Sequence, residues 1–87
     1  MKKVYEARRN VSSTKAVVYS SAAGYKVTGY VRCISPTFAW WKPVGHLAYK
    51  ELYKAKKCAT VFAMTRDLLN EKDVDKAWQD LGIKALL

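Results

Sequence analysis

The first third of the chain alternates with the period of a strand. In Lys26-Val27-Thr28-Gly29-Tyr30-Val31-Arg32-Cys33-Ile34, one set of positions (Val27, Gly29, Val31, Cys33) is small or apolar. The other set (Lys26, Thr28, Tyr30, Arg32) is basic, polar or aromatic. A period of two sends these sets to opposite faces, so the second face is basic and aromatic. Upstream, Lys15-Ala16-Val17-Val18-Tyr19-Ser20 is β-branched and aromatic and predicts another strand. Val4, Tyr5 and Ala7, set among lysines and arginines, predict a short first strand over about residues 3–8. The polar stretch Asn10, Ser12, Ser13, Thr14 separates the first two strands. Ala22-Ala23-Gly24-Tyr25 supplies the next turn, with Gly24 free to take positive φ. Gly29, inside a strand, predicts a bulge or the close approach of another backbone.

After Ser35-Pro36 the pattern changes. Ala48, Leu52, Ala55, Ala59 and Phe62 recur at spacings of four and three, which is helical periodicity, and Leu69 rejoins the stripe beyond Arg66. Pro43 fits the first turn of a helix, where its missing N–H has no intrahelical partner to lose. The expectation is one helix over about 44–69, roughly 39 Å long at ~1.5 Å per residue. The rival reading breaks it near Lys57 and makes Cys58–Met64 a fourth strand, because Thr60, Val61 and Phe62 favour strands. No Gly or Pro marks a break there, so the helix is preferred. Asn70 or Asp73 caps a last helix carrying Val74, Ala77, Trp78 and Leu81 on one face. Gly82 is its natural C-cap, and Ile83 and Leu86-Leu87 pack back onto the body. The predicted fold is therefore α+β. It has a small antiparallel sheet of two or three strands over about residues 3–34, packed against a long helix (about 44–69) and a short C-terminal helix (about 71–81).

Composition supports one small basic domain spanning 1–87: the chain has 87 residues, near the lower end of what a hydrophobic core alone supports, and 51% of them are hydrophobic. No apolar run approaches the roughly 20 residues of a membrane span, and no apolar stretch follows the N-terminal lysines. The chain reads as cytoplasmic, with no membrane partner. Cys33 and Cys58 then read as reduced thiols serving as small hydrophobes, although their pairing depends on a distance that sequence does not give. Two cysteines and the lone His46 are too few for a zinc site, so no metal or other cofactor is expected.

Charge sharpens the picture. The net charge is +9, and it is segregated: residues 1–34 carry +6, residues 35–66 carry +5, and residues 67–87 carry −2. A field of one sign over a small body speeds association with the opposite sign, and nucleic acid is the commonest polyanion in a cell. Enzymatic constellations are weak by comparison. His46 has only Glu51 nearby as an acidic neighbour, and Ser12-Ser13-Thr14-Lys15 matches a Ser-x-x-Lys spacing in a turn, where that chemistry cannot be assembled. The four glycines spell neither a P-loop nor a dinucleotide fingerprint. The expected function is thus non-enzymatic binding of nucleic acid, DNA or RNA undecided, with weak or shape-based specificity.

Three basic sets are candidates for that contact. Lys2, Lys3, Arg8 and Arg9 form a flexible or strand-borne N-terminal basic arm. Lys26, Tyr30 and Arg32 combine stacking with charge on the outer sheet face, provided that face is the exposed one. Lys50, Lys54 and Lys57, at i, i+4 and i+7, form a stripe on the long helix. The competing function is a small regulator or inhibitor that docks on an acidic surface of a larger protein. Phe38, Trp40 and Trp41, bracketed by Pro36 and Pro43, would be its anchor. Within that patch one tryptophan is expected to be buried and one at least half exposed.

Overall fold

Residues 2–9 and 13–81 are described by a computed structural model of the chain. Strand-forming segments run further along the chain than the sequence pattern implied. β1 (Lys2–Arg9), β2 (Thr14–Ser21), β3 (Gly24–Ile34) and β4 (Ala39–Tyr49) form one antiparallel sheet in the order β1-β2-β3-β4. α1 (Leu52–Thr65) and α2 (Glu71–Leu81) follow. The architecture is α+β, as expected, with four strands in place of two or three. The Asn10 and Ser12 part of the first break, the Gly82 cap and the packing of Ile83 and Leu86-Leu87 lie outside the described residues.

Local chemistry explains the two well-defined hairpin turns. Ser21 pairs with Gly24 across Ala22-Ala23, and Gly24 adopts φ +131°, beyond the range a side chain tolerates. A Cβ at Gly24 would also stand 2.8 Å from the Tyr49 carbonyl oxygen. At the other turn, Pro36 and Thr37 sit between Ser35 and Phe38, whose backbones are joined by a 2.8 Å hydrogen bond. The Ser35 hydroxyl accepts the amides of Thr37 and Phe38. Proline at the second position of such a turn supplies the required φ in advance.

The core lies on one side of the sheet. Ala16 and Val18 of β2, Val27 of β3 and Tyr49 of β4 pack against Ala55, Cys58, Ala59 and Phe62 of α1. Gly29 contributes by absence: a Cβ there would lie 2.6 Å from Phe62 Cζ, so the ring rests directly on the strand. The register of β3 against β4 also shifts between Gly29 and Tyr30. The bulge foreseen at this glycine is present, and the group that approaches it is a ring rather than a backbone. Thr14 opens β2 buried, its hydroxyl donating to the Ala63 carbonyl.

The single helix expected over 44–69 is replaced by β4, a bend at Lys50 and the shorter α1. Ala48 therefore belongs to a strand, and only Leu52 onward keeps the helical stripe. The alternative strand at 58–64 is absent, since those residues are helical. Pro43 lies in β4, an edge strand, one residue from the Gly29/Tyr30 register shift; an edge tolerates a residue with no N–H to donate. α1 ends at Arg66, which takes the left-handed conformation (φ 66°) and donates its amide to the Phe62 carbonyl. Asn70 caps α2, accepting the amides of Lys72 and Asp73 at 2.9 and 3.1 Å. The returning loop is fastened to the core, because the Tyr49 hydroxyl and the Cys58 thiol both donate to the Leu69 carbonyl. Burial pushes both the Tyr49 phenol and the Cys58 thiol above their ordinary pKa values. Both cysteines are free thiols, Cys58 buried and Cys33 half-buried. Among the described residues, no helix is long and apolar enough to cross a membrane.

Candidate nucleic-acid interface

Both helices occupy the same side of the sheet, which leaves the other side open. Cross-strand pairing decides which residues stand there. Ala16 faces Gly29 and Val18 faces Val27 on the helix side. By alternation, Lys15, Val17 and Tyr19 of β2 and Lys26, Thr28, Tyr30 and Arg32 of β3 point away from the helices. β1 adds Glu6 and Arg8, and β4 adds Trp41 and His46, through their pairing with Val17, Lys15, Arg32 and Thr28. The condition set for Lys26, Tyr30 and Arg32 is thus met: theirs is the uncovered face. Val17 and Thr28 are nonetheless buried, sunk between taller neighbours.

The taller side chains make a connected surface. The Lys15 ammonium lies 4.6 Å from the Trp41 ring centre and 5.3 Å from that of Tyr30. The Arg8 guanidinium reaches the same indole at 5.4 Å. Such contacts hold a cation over a π face while leaving part of its charge in solvent. Tyr30 and Tyr19 are joined through their hydroxyls at 3.3 Å, and this bond, with partial burial, pushes the Tyr30 phenol up to about 12. Tyr19, Lys26, Thr28, Tyr30, Pro43 and His46 line a shallow depression of about 390 Å³ beside them.

The strands are basic almost throughout, on both faces. Together the four hold eight lysines and arginines and one acid, a net +7, whereas α2 carries −2. That one acid, Glu6, is bound by Lys3 at 2.7 Å and Arg8 at 3.2 Å. The Lys3 hydrogen bond holds the Glu6 carboxyl below its ordinary value, against the opposing effect of partial burial.

The remaining predicted residues are scattered. Lys2, Lys3, Arg8 and Arg9 are strand-borne in β1, the second of the two forms expected, and Arg8 and Lys3, the latter through its pairing with Tyr19, join the open face. The helical stripe does not form as expected, because Lys50 sits in the bend before α1. Lys54 is 3.9 Å from Glu51, and Lys57 is 3.2 Å from Asp75 of α2 and also lies over the rings of Tyr53 and Trp78. Lys57 is thus a bridge between helices.

The aromatic patch is split by strand alternation. Trp41 turns to the open face, while Trp40 turns to the opposite side and meets Phe38, with ring centres 5.0 Å apart. Phe38 (62% exposed), Trp40 (43%) and Ile34 (73%) make an apolar tip where the β3–β4 hairpin extends past β2. None of the three tryptophans is buried, contrary to expectation: the strand pairing places Trp40 and Trp41 outside the layer between sheet and helices, and Trp78 is only half-covered on α2.

Lys15, Tyr19 and His46 belong to this face and escaped the sequence reading. The first two were accessible in principle: the Ala22-Ala23 turn sets Lys15 opposite Tyr30 and Tyr19 opposite Lys26. His46 and the true side of Trp41 were hidden by assigning 44–49 to a helix. Compared with protein-family models, curated proteins and solved structures, the chain matches none.

Proposed function

We propose that the chain is a non-enzymatic nucleic-acid-binding protein that presents the open face of its sheet to the polyanion. The observation that carries this reading is the gathering of Arg8, Lys15, Lys26 and Arg32 with Tyr19, Tyr30 and Trp41 on the one face that no helix covers. Cations there neutralise phosphates and release counterions, which makes affinity fall steeply with salt. Contacts to phosphates are the same in every sequence, so specificity is weak or shape-based. An intracellular setting, where nucleic acid is abundant, suits this role.

Filter binding with unrelated oligonucleotide sequences tests the proposal. Affinities within about tenfold of one another, dropping by orders of magnitude between about 50 and 200 mM salt, are expected. Absence of binding at the lower salt contradicts it.

A second reading rests on the hairpin tip. Ile34, Phe38 and Trp40 are exposed together, with Arg32 and Lys42 close by in sequence, which suits docking on an acidic protein surface. In that case Trp40→Ala abolishes the protein complex and leaves nucleic-acid affinity intact.

A further inference from the structure

Resting on the nucleic-acid reading above, we infer that the open face takes single strands, with Tyr30 and Trp41 as base-stacking platforms and Lys15 and Arg8 as the phosphate contacts that release those rings. The breadth of the face favours a single strand. Four strands ~4.8 Å apart span about 14 Å between outer strand axes, before side chains are added. The major groove of a duplex is about 12 Å wide and admits a helix or a two-stranded ribbon. A face of this breadth cannot enter it, so Tyr30 and Trp41 have no route to paired bases. Splayed bases of a single strand can lie on them directly.

Trp41 is overlain by Lys15 at 4.6 Å and by Arg8 at 5.4 Å, and Tyr30 is overlain by Lys15 at 5.3 Å. These cations occupy the π faces in the free protein. A phosphate offers them a stronger partner than a ring quadrupole does, since charge-assisted hydrogen bonds to an anion are among the strongest polar contacts. Each cation that moves to a phosphate therefore frees a ring for a base from the same strand, and stacking and neutralisation reinforce each other. A duplex can draw the cations away but has no unpaired base to offer in return.

The test compares a fluorescein-labelled oligothymidylate of about 12 nucleotides, its RNA counterpart and a duplex of equal length by anisotropy at about 50 mM salt. Wild-type protein and the variants Trp41→Leu and Lys15→Ala are titrated, with thermal melts confirming folding. Single strands of either sugar are expected to bind at least about tenfold tighter than the duplex and to quench tryptophan emission. Trp41→Leu is expected to lose about tenfold or more for single strands, and the quench with it, while duplex binding is not weakened. Lys15→Ala weakens both substrates. Equal affinity for single strand and duplex, with Trp41→Leu neutral, overturns this inference and leaves the broader nucleic-acid reading standing. Absence of binding to any of the three probes removes both.

Discussion

Gly29 is the residue on which sheet and helix depend most closely. With a Cβ only 2.6 Å from Phe62 Cζ, Gly29→Ala forces the ring to move within a packed core. Overpacking of that kind costs about 1–3 kcal/mol, and each kcal/mol lowers the melting temperature of a domain this size by about 4–8 °C. Combining Gly29→Ala with Phe62→Leu should recover part of the loss in a thermal melt, because the two sites are in contact and their effects are not additive. On the open face, Tyr30 and Glu6 titrate in opposite senses. The phenol of Tyr30, raised to about 12 chiefly by its bond to Tyr19, contributes stability that is full below its ordinary value of 10. That contribution is lost as pH rises through about 12. Tyr19→Phe should move the Tyr30 titration back toward 10, as read by phenolate absorbance. The carboxyl of Glu6, lowered mainly by Lys3, contributes stability that is present above the ordinary 4.5 and lost as pH falls through its lower folded value. Glu6→Gln should therefore flatten the acid limb of stability below about pH 4.5. It should also tighten polyanion binding, since it removes the only acid on the strands.

Element by element, the sequence was legible where alternation was uninterrupted and misleading where two periods overlapped. β1, β2 and β3 follow from strand-forming residues and the Gly24 turn, and α2 from Asn70 and its amphipathic face. β4 was lost because Ala48 falls four residues before Leu52, so a strand residue extended a genuine helical stripe by chance. Pro43 strengthened the error, since proline suits both a helix start and an edge strand. The same misplacement created the Lys50–Lys54–Lys57 stripe and hid the side on which Trp41 stands. Lys57 joins α1 to α2 through Asp75, a half-exposed pair worth less than about 1 kcal/mol. Lys57→Ala should accordingly cost little stability and leave polyanion affinity unchanged. By contrast, Asn70→Ala should cost about 1 kcal/mol in denaturant unfolding, because two amides at the start of α2 lose their acceptor.

At the scale of the whole molecule, the acids gather in α2, while the sheet and α1 (+3) are both basic. The sheet carries +7 with one face bare, while the helices occupy the other face and α2 brings in the acids. Segregated composition was visible in the sequence; which basic residues share a face was not, because that depends on register and on which side the helices settle. The central question is therefore whether the sheet, rather than α1, meets the polyanion. The deciding measurement is the salt dependence of single-strand affinity for wild type, Lys15→Ala/Lys26→Ala/Arg32→Ala and Lys54→Ala/Lys57→Ala. At about 0.7 per neutralised phosphate, removing three sheet contacts should reduce the slope of log K against log salt by about 2, with the helix pair matching wild type. An unchanged slope in the sheet variant, or a slope lost in the helix variant, would contradict binding through the sheet.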